Sequence, residues 1–237
     1  MLSLIHIFRI KFSKTGSMKF IGHLDIMRYF QKALRRAGID VAFSGGFSPH
    51  MLMSFAQPLG LGATSSGEYF DLDVNSCGTT AEIREKLNAQ MVPEIQVLQV
   101  VKIPEDRASK GMTLVAAADY LVRFRDPSLL PEHWREELQK FLGQEQIFVI
   151  KSGKNGEKEW DIRPFLYQME AREDGLFLRL SAGSQNNLKP ETAAEAFAAF
   201  LGVRLPEHAL MIHREELYAE TAAGGFIPLG ELGEELE

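Results

Sequence analysis

The chain has 237 residues, 45% of them hydrophobic and 24% charged, with a formal net charge of −6, enough for one large or two small domains with cores of their own. No apolar run approaches the roughly 18 residues of a membrane span, so the expectation is a cytoplasmic protein with no membrane partner. Cys77 is the only cysteine, which excludes a disulfide framework within one chain and an all-cysteine zinc or iron–sulfur site, so no metal or cofactor is expected on this chain.

Residues 1–8 are set aside, because Leu2-Ser3-Leu4-Ile5-His6-Ile7 looks like the translation of a transposon-end adapter used in preparing sequencing libraries. Phe8, Ile10 and Phe12 alternate with Arg9, Lys11 and Ser13, the period of a strand with one buried face. After a turn at Thr15-Gly16-Ser17, the spacing of Leu24, Met27 and Leu34 predicts a helix over 23–37. Gly38 is placed to cap that helix, and Arg35 and Arg36 suit the negative end of its dipole.

A second strand is predicted over 40–43, a further extended run over 51–56, a flexible turn over 60–67 and a third strand over 68–74. Thr79 or Thr80 can cap a helix over 81–91, which Pro93 stops before a strand over 95–103. Strand, helix, strand, strand, helix, strand is the split order of a ferredoxin-like fold. Residues 105–118 read as a linker, after which the order recurs: strands over 120–124, 147–151, 176–180 and 210–218, with helices over 131–142 and 191–201. The expected architecture is α+β: two tandem ferredoxin-like (βαββαβ) units over 9–104 and 119–220, and an acidic tail over 221–237 that frays.

Charge is uneven along the chain. Between Arg9 and His50, eight basic residues (Arg9, Lys11, Lys14, Lys19, Arg28, Lys32, Arg35, Arg36) stand against Asp25 and Asp40, a local balance of +6. That is either a phosphate-contacting face or an ordinary solvated one.

Split topology would bring His23, Asp25, the loop Ser44-Gly45-Gly46-Phe47-Ser48-Pro49-His50 and Glu68 to one rim. Four roles fit these residue types. Gly45 and Gly46 can form an anion-binding nest or simply a turn. Lys14, Lys19 and Arg28 can hold phosphates. His23 and His50 can act as general acid and base, or join Asp25 and Glu68 on a metal, although their spacing matches no metal motif. Phe47 and Tyr29 can stack on a base, or Phe47 can close the core. Met18, Met27, Met51 and Met53 read as gap-filling core. In the second half, Asp161 and Arg163 flank Ile162, so a strand would put both on one face, as an ion pair or a ligand site.

Together, Lys11-Phe12-Ser13-Lys14, Gly22-His23-Leu24-Asp25, Arg28, Ala33-Leu34-Arg35-Arg36-Ala37-Gly38, Gly46-Phe47-Ser48-Pro49-His50, Ser54-Phe55-Ala56, Pro58-Leu59 and Gly67-Glu68-Tyr69 resemble one family. It is the radical-SAM-associated family of bacterial proteins, found alone or fused to a cobalamin-binding radical SAM protein. Asp161-Ile162-Arg163-Pro164 is a weaker match. Gly22 stands where the family often has Ser, and Met51-Leu52-Met53 where it often has proline and a basic residue.

The resemblance implies a radical SAM protein as partner, with the iron–sulfur cluster and SAM on that partner, and an RNA-facing role. The expected function is therefore a non-catalytic, substrate-presenting accessory. The alternatives are an RNA-processing or modifying hydrolase using His23 and His50, and a protein–protein adaptor.

Overall fold

The computed structural model describes residues 5–76, 78–106, 109–153 and 156–237. In chain order the elements are β1 (His6–Lys14), α1 (His23–Arg36), β2 (Met53–Phe55), β3 (Thr64–Val74), α2 (Thr80–Asn88), β4 (Val97–Ile103), the single turn α3 (Gly111–Leu114), β5 (Val115–Phe124), α4 (Trp134–Leu142), β6 (Phe148–Gly153), β7 (Gly156–Asp161), β8 (Leu166–Arg172), β9 (Gly175–Ser181), α5 (Pro190–Phe200), β10 (Leu210–Glu220) and β11 (Phe226–Pro228). The chain is mixed α+β with mostly antiparallel strands. It forms two compact units, Met1–Ala116 with Glu216–Glu237, and Ala117–Glu215. Among the described residues, no helix is long and apolar enough to cross a membrane.

In the first unit β1 lies antiparallel between β3 and β4, and β2 pairs antiparallel with β3. Alternation along β1 turns Phe8, Ile10 and Phe12 to one face, all fully buried. Helix α1 lays Ile26, Phe30, Ala33 and Leu34 onto that face. The rings of Phe12 and Phe70 each stand 4.7 Å from Phe30. Gly38, at φ +65°, ends α1 in the left-handed conformation its position predicts. Thr79 and Glu82 form a reciprocal capping box at the start of α2.

Five expectations for this unit change. The predicted strand over 40–43 makes only the isolated bridges Val41↔Val74 and Phe43↔Met51, and the second strand is β2 instead. The 44–50 loop interrupts the edge before regular pairing can begin. The expected flexible turn ends early, because Lys14 pairs with Ser65 and draws β3 back to Thr64.

The expected linker is tied down as well. Arg9, 1% exposed, donates to the Ser109 carbonyl at 2.6 Å, and Asp71 accepts from the Gly111 amide at 2.6 Å. The expected fraying tail is likewise fixed by β11, by fully buried Leu229, by backbone bonds between Lys102 and Glu234, and by Thr80 donating to Leu236. At the other terminus, His6, Ile7 and Phe8 of the supposed scar pair with Val74, Asp73 and Leu72. Leu2, Ser3, Leu4 and Cys77 lie outside the described residues.

In the second unit β9 pairs antiparallel with both β5 and β8, and β10 neighbours β5. Helices α4 and α5 meet through Phe141 and Phe197, whose rings are 5.2 Å apart. Arg179 grips Asp119 with two bonds of 2.7 Å. Strands β6 and β7 form a separate two-stranded sheet. Sequence patterning misses β7 and β8, because the exposed hairpin strand Gly-Glu-Lys-Glu-Trp-Asp has no apolar alternation to betray it.

Candidate functional site

The residues expected on one rim fall into two groups. The first surrounds a cavity of about 10 Å³ lined by Lys14, His23, Glu68, Phe12, Phe55 and Leu59, among others. That volume suits about one water. Lys14 and Glu68 are buried, 3% and 4% exposed, for a reason visible in the strand period. Lys14 follows Phe12 by two residues and Glu68 sits directly across from Phe12, so both point to the core face.

The Lys14 ammonium donates to the Ile21 carbonyl at 2.9 Å, tying β1 to the chain that enters α1. The expected role of Lys14 as a phosphate-binding surface cation is therefore corrected. His23 stands edge-on to Phe55, ring centres 4.9 Å apart. Within this cluster, the Lys14–Ile21 bond fixes the chain just before α1.

The second group is the 44–50 loop. The Ser44 amide donates to the His50 carbonyl at 2.9 Å, the Ser44 hydroxyl lies 2.8 Å from His50 Nδ1, and the His50 amide donates to that hydroxyl at 3.1 Å. These bonds close the loop at its base. Gly46, at φ +97°, supplies a turn that an L side chain rarely adopts. Gly45, Ser48 and His50 are exposed, and Phe47 is fully exposed at 111% of its reference area. Phe47 does not close the core.

The loop hangs from the end of β3, where the Ala42 amide donates to the Asp73 carbonyl. From Glu68 to Asp73 is roughly 17 Å of strand at ~3.4 Å per residue. His23 and His50 are thus not brought together as an acid–base pair. Among the described residues, no three His, Cys, Asp or Glu side chains are grouped to hold a metal ion.

The basic segment shrinks on folding. Arg9 and Lys14 are buried, Lys11 pairs with Glu216 at 2.6 Å, and Arg28 pairs with Asp25 at 3.1 Å, both 65% exposed. The last pair contributes little to stability. Lys32, Arg35 and Arg36 stay exposed, Arg36 donating to the Gln90 carbonyl. Tyr29 is no stacking platform, since its hydroxyl accepts from the Val92 amide at 2.8 Å and its ring packs on the core.

In the second unit, Asp161 and Arg163 do not pair through their side chains. The Asp161 carboxylate accepts from the Ile147 and Arg163 amides, while the Arg163 guanidinium donates to the Leu142 and Leu166 carbonyls. Both residues fasten the turn between β7 and β8.

Sequence reasoning missed the polar face on the far side of β1. Arg9 binds Asp71 through Nε at 2.9 Å and the Leu229 carbonyl at 3.2 Å, and Lys110 pairs with Asp73 at 2.8 Å. The Tyr69 hydroxyl donates to Glu216 at 2.7 Å. Burial, and then the Glu216 charge, push that phenol far above its ordinary value. Arg9 and Lys11 alternating with buried apolar residues was the available signal, but their partners are too distant in sequence to be read from it.

A comparison with curated proteins finds no match. Among solved structures, the crystal structure of a Cbf5-Nop10-Gar1 complex is similar with a TM-score of 0.46 and 10% identity, over 89% of this chain and 48% of that one. The chain thus spans about half the length of that neighbour. The family described as "Uncharacterized protein conserved in bacteria (DUF2344)" matches residues 8–190. That match runs from β1 through the 44–50 loop to the start of α5, and the chain belongs to this bacterial family.

Proposed function

We propose that the chain is a non-catalytic, RNA-facing accessory that presents single-stranded RNA to a radical SAM enzyme. The observation that carries this reading is Phe47, an aromatic ring wholly in solvent at the tip of a loop braced by Ser44 and His50. A base can stack on such a ring whatever its sequence, and bracing lowers the ordering cost on binding. Lys32, Arg35 and Arg36 on α1 leave exposed cations for phosphates. The radical SAM partner, with its iron–sulfur cluster and SAM, rests on the motif resemblance alone. Each unit is read as ferredoxin-like. The neighbour order β4-β1-β3-β2 supports this for the first, and β10-β5-β9-β8 supports it for the second, with β6–β7 inserted.

The test is fluorescence anisotropy of a labelled single-stranded RNA 20-mer with the whole chain at two salt concentrations. Binding should saturate and weaken with salt, and Phe47→Ala should weaken it roughly 5- to 150-fold, the range for losing one stacked base. Absence of saturable binding, or unchanged affinity in Phe47→Ala, overturns the proposal.

A further inference from the structure

The second unit carries a groove of about 500 Å³ between β6 and α5. Ile147, Phe148, Val149 and Ile150 all line it. Side chains in a strand alternate between faces, so a wall made of consecutive residues is the strand's edge. The opposite wall is a stripe of α5, Thr192, Glu195, Ala196 and Ala199, whose spacing keeps them on one side of the helix. The other side of α5 buries Ala193, Ala194, Phe197 and Ala198. The groove side is mixed, with Ala196 and Ala199 apolar and Thr192 and Glu195 polar. Phe148, Ile150 and Phe200 stand 56%, 59% and 40% exposed around this groove.

Among the described residues β6 pairs only with β7, so its outer edge has no strand partner. The Ile162 amide donates to the Ile147 carbonyl at 2.8 Å. Bonded and non-bonded pairs alternate in an antiparallel ladder, so Phe148↔Asp161 and Ile150↔Glu159 are the non-bonded ones. The amides and carbonyls of Phe148 and Ile150 therefore face outward, as a template for an added strand.

The groove is also acidic. Among the described residues Glu195 has no hydrogen-bond or ion-pair partner. Glu191 lies one turn before it on α5, and Glu159 faces the same side of the hairpin as Ile150. Partial burial, and then Glu191, push the Glu195 carboxyl above its ordinary value. The hairpin's lysines, Lys151 and Lys158, share the opposite face, with Lys151 4.5 Å from the centre of the Trp160 ring.

We propose that this groove docks an extended segment of a partner protein, added as a strand to the outer edge of β6. Its alternate apolar side chains meet Phe148, Ile150 and Phe200, and a lysine or arginine pairs with Glu195. The carboxylates repel RNA, so the occupant is protein.

The probe is a labelled octapeptide of alternating valine and lysine, capped at both ends, titrated into the whole chain by fluorescence polarisation. A valine–glutamate octapeptide is the control. The lysine peptide should bind saturably, at least tenfold tighter than the glutamate peptide, and slow hydrogen exchange at the Phe148 and Ile150 amides. Ile150→Pro removes an outward N–H without removing a bond to β7, and should abolish binding at an unchanged melting temperature. Should that variant melt early, Glu195→Lys carries the test by reversing the charge preference. No saturable binding, no charge preference, or protection elsewhere than on β6 overturns the proposal.

Discussion

Replacing Arg9 with methionine keeps much of its bulk in β1 and removes its charge. The guanidinium is 1% exposed and binds Asp71 through two nitrogens, at 2.9 and 3.3 Å, as well as the carbonyls of Leu229 and Ser109. In Arg9→Met, Asp71, itself 1% exposed, keeps the Gly111 amide as a donor but loses its counter-charge, and both carbonyls lose the guanidinium. Breaking a buried pair from one side costs about 3–5 kcal/mol.

Both tryptophans, Trp134 and Trp160, lie in the second unit, so their fluorescence would not report this change. The assay is urea denaturation followed by far-UV circular dichroism, with hydrogen exchange locating the loss. Exchange should quicken around Ser109, Gly111 and Leu229, the chain stretches that Arg9 ties to β1. The double variant Arg9→Met/Asp71→Leu removes both charges and should be more stable than Arg9→Met alone, because no orphaned ion remains. A cost below about 1 kcal/mol for Arg9→Met, or simple additivity in the double variant, would refute the reasoning.

Two further outcomes test the second unit. A Cβ at Gly175 would overlap the Val122 carbonyl oxygen and stand 3.0 Å from the Arg123 Cα. Gly175→Ala should therefore cost about 1–3 kcal/mol or more by tryptophan-monitored denaturation, whereas Gly45→Ala in the first unit, which meets open space, should change stability by under about 0.5 kcal/mol when followed by far-UV circular dichroism. Burial, and then the Arg123 charge, hold His213 below its ordinary value of 6.5. The fold thus binds this proton less readily than the unfolded chain does. The stabilisation is complete above about pH 6.5, the unfolded value, and is lost as pH falls from there through the lower folded one. His213→Asn should flatten the fall of the urea midpoint between about pH 7.5 and 5.5, and an unchanged slope would remove His213 as its source. Glu195 and Glu215, both pushed up chiefly by burial, act in the opposite sense at lower pH.

Much of the first unit was legible because its signals are local. The alternation of Phe8, Ile10 and Phe12, the spacing of α1, the Gly38 cap and the Thr79 box each need only neighbouring residues. The errors arise where a distant partner decides. Val41 and Phe43 look like a strand, but β3 offers them only bridges before the 44–50 loop leaves the edge. The 105–118 stretch reads as polar and small, yet Ser109 and Gly111 are held by a charge pair formed between β1 and β3. The acidic tail looks unbound until Leu229 is seen buried beside Arg9.

The candidate site was legible in its residues and not in its geometry. His23, Glu68 and the 44–50 loop lie within one short stretch of sequence, and a split fold was expected to gather them at the end where α1 begins. The loop leaves from the other end, because Val41 and Ala42 meet Val74 and Asp73 before β2 starts its run along β3. That displacement separates two kinds of chemistry. Lys14 and Glu68 are buried with His23 beside them around a space about the size of a water, where Lys14 ties down the chain before α1. Phe47 and His50 are left in solvent on a braced loop that can meet a large partner. A pair of histidines that close in sequence suggested an acid–base pair, and their separation along β3 removes that pairing.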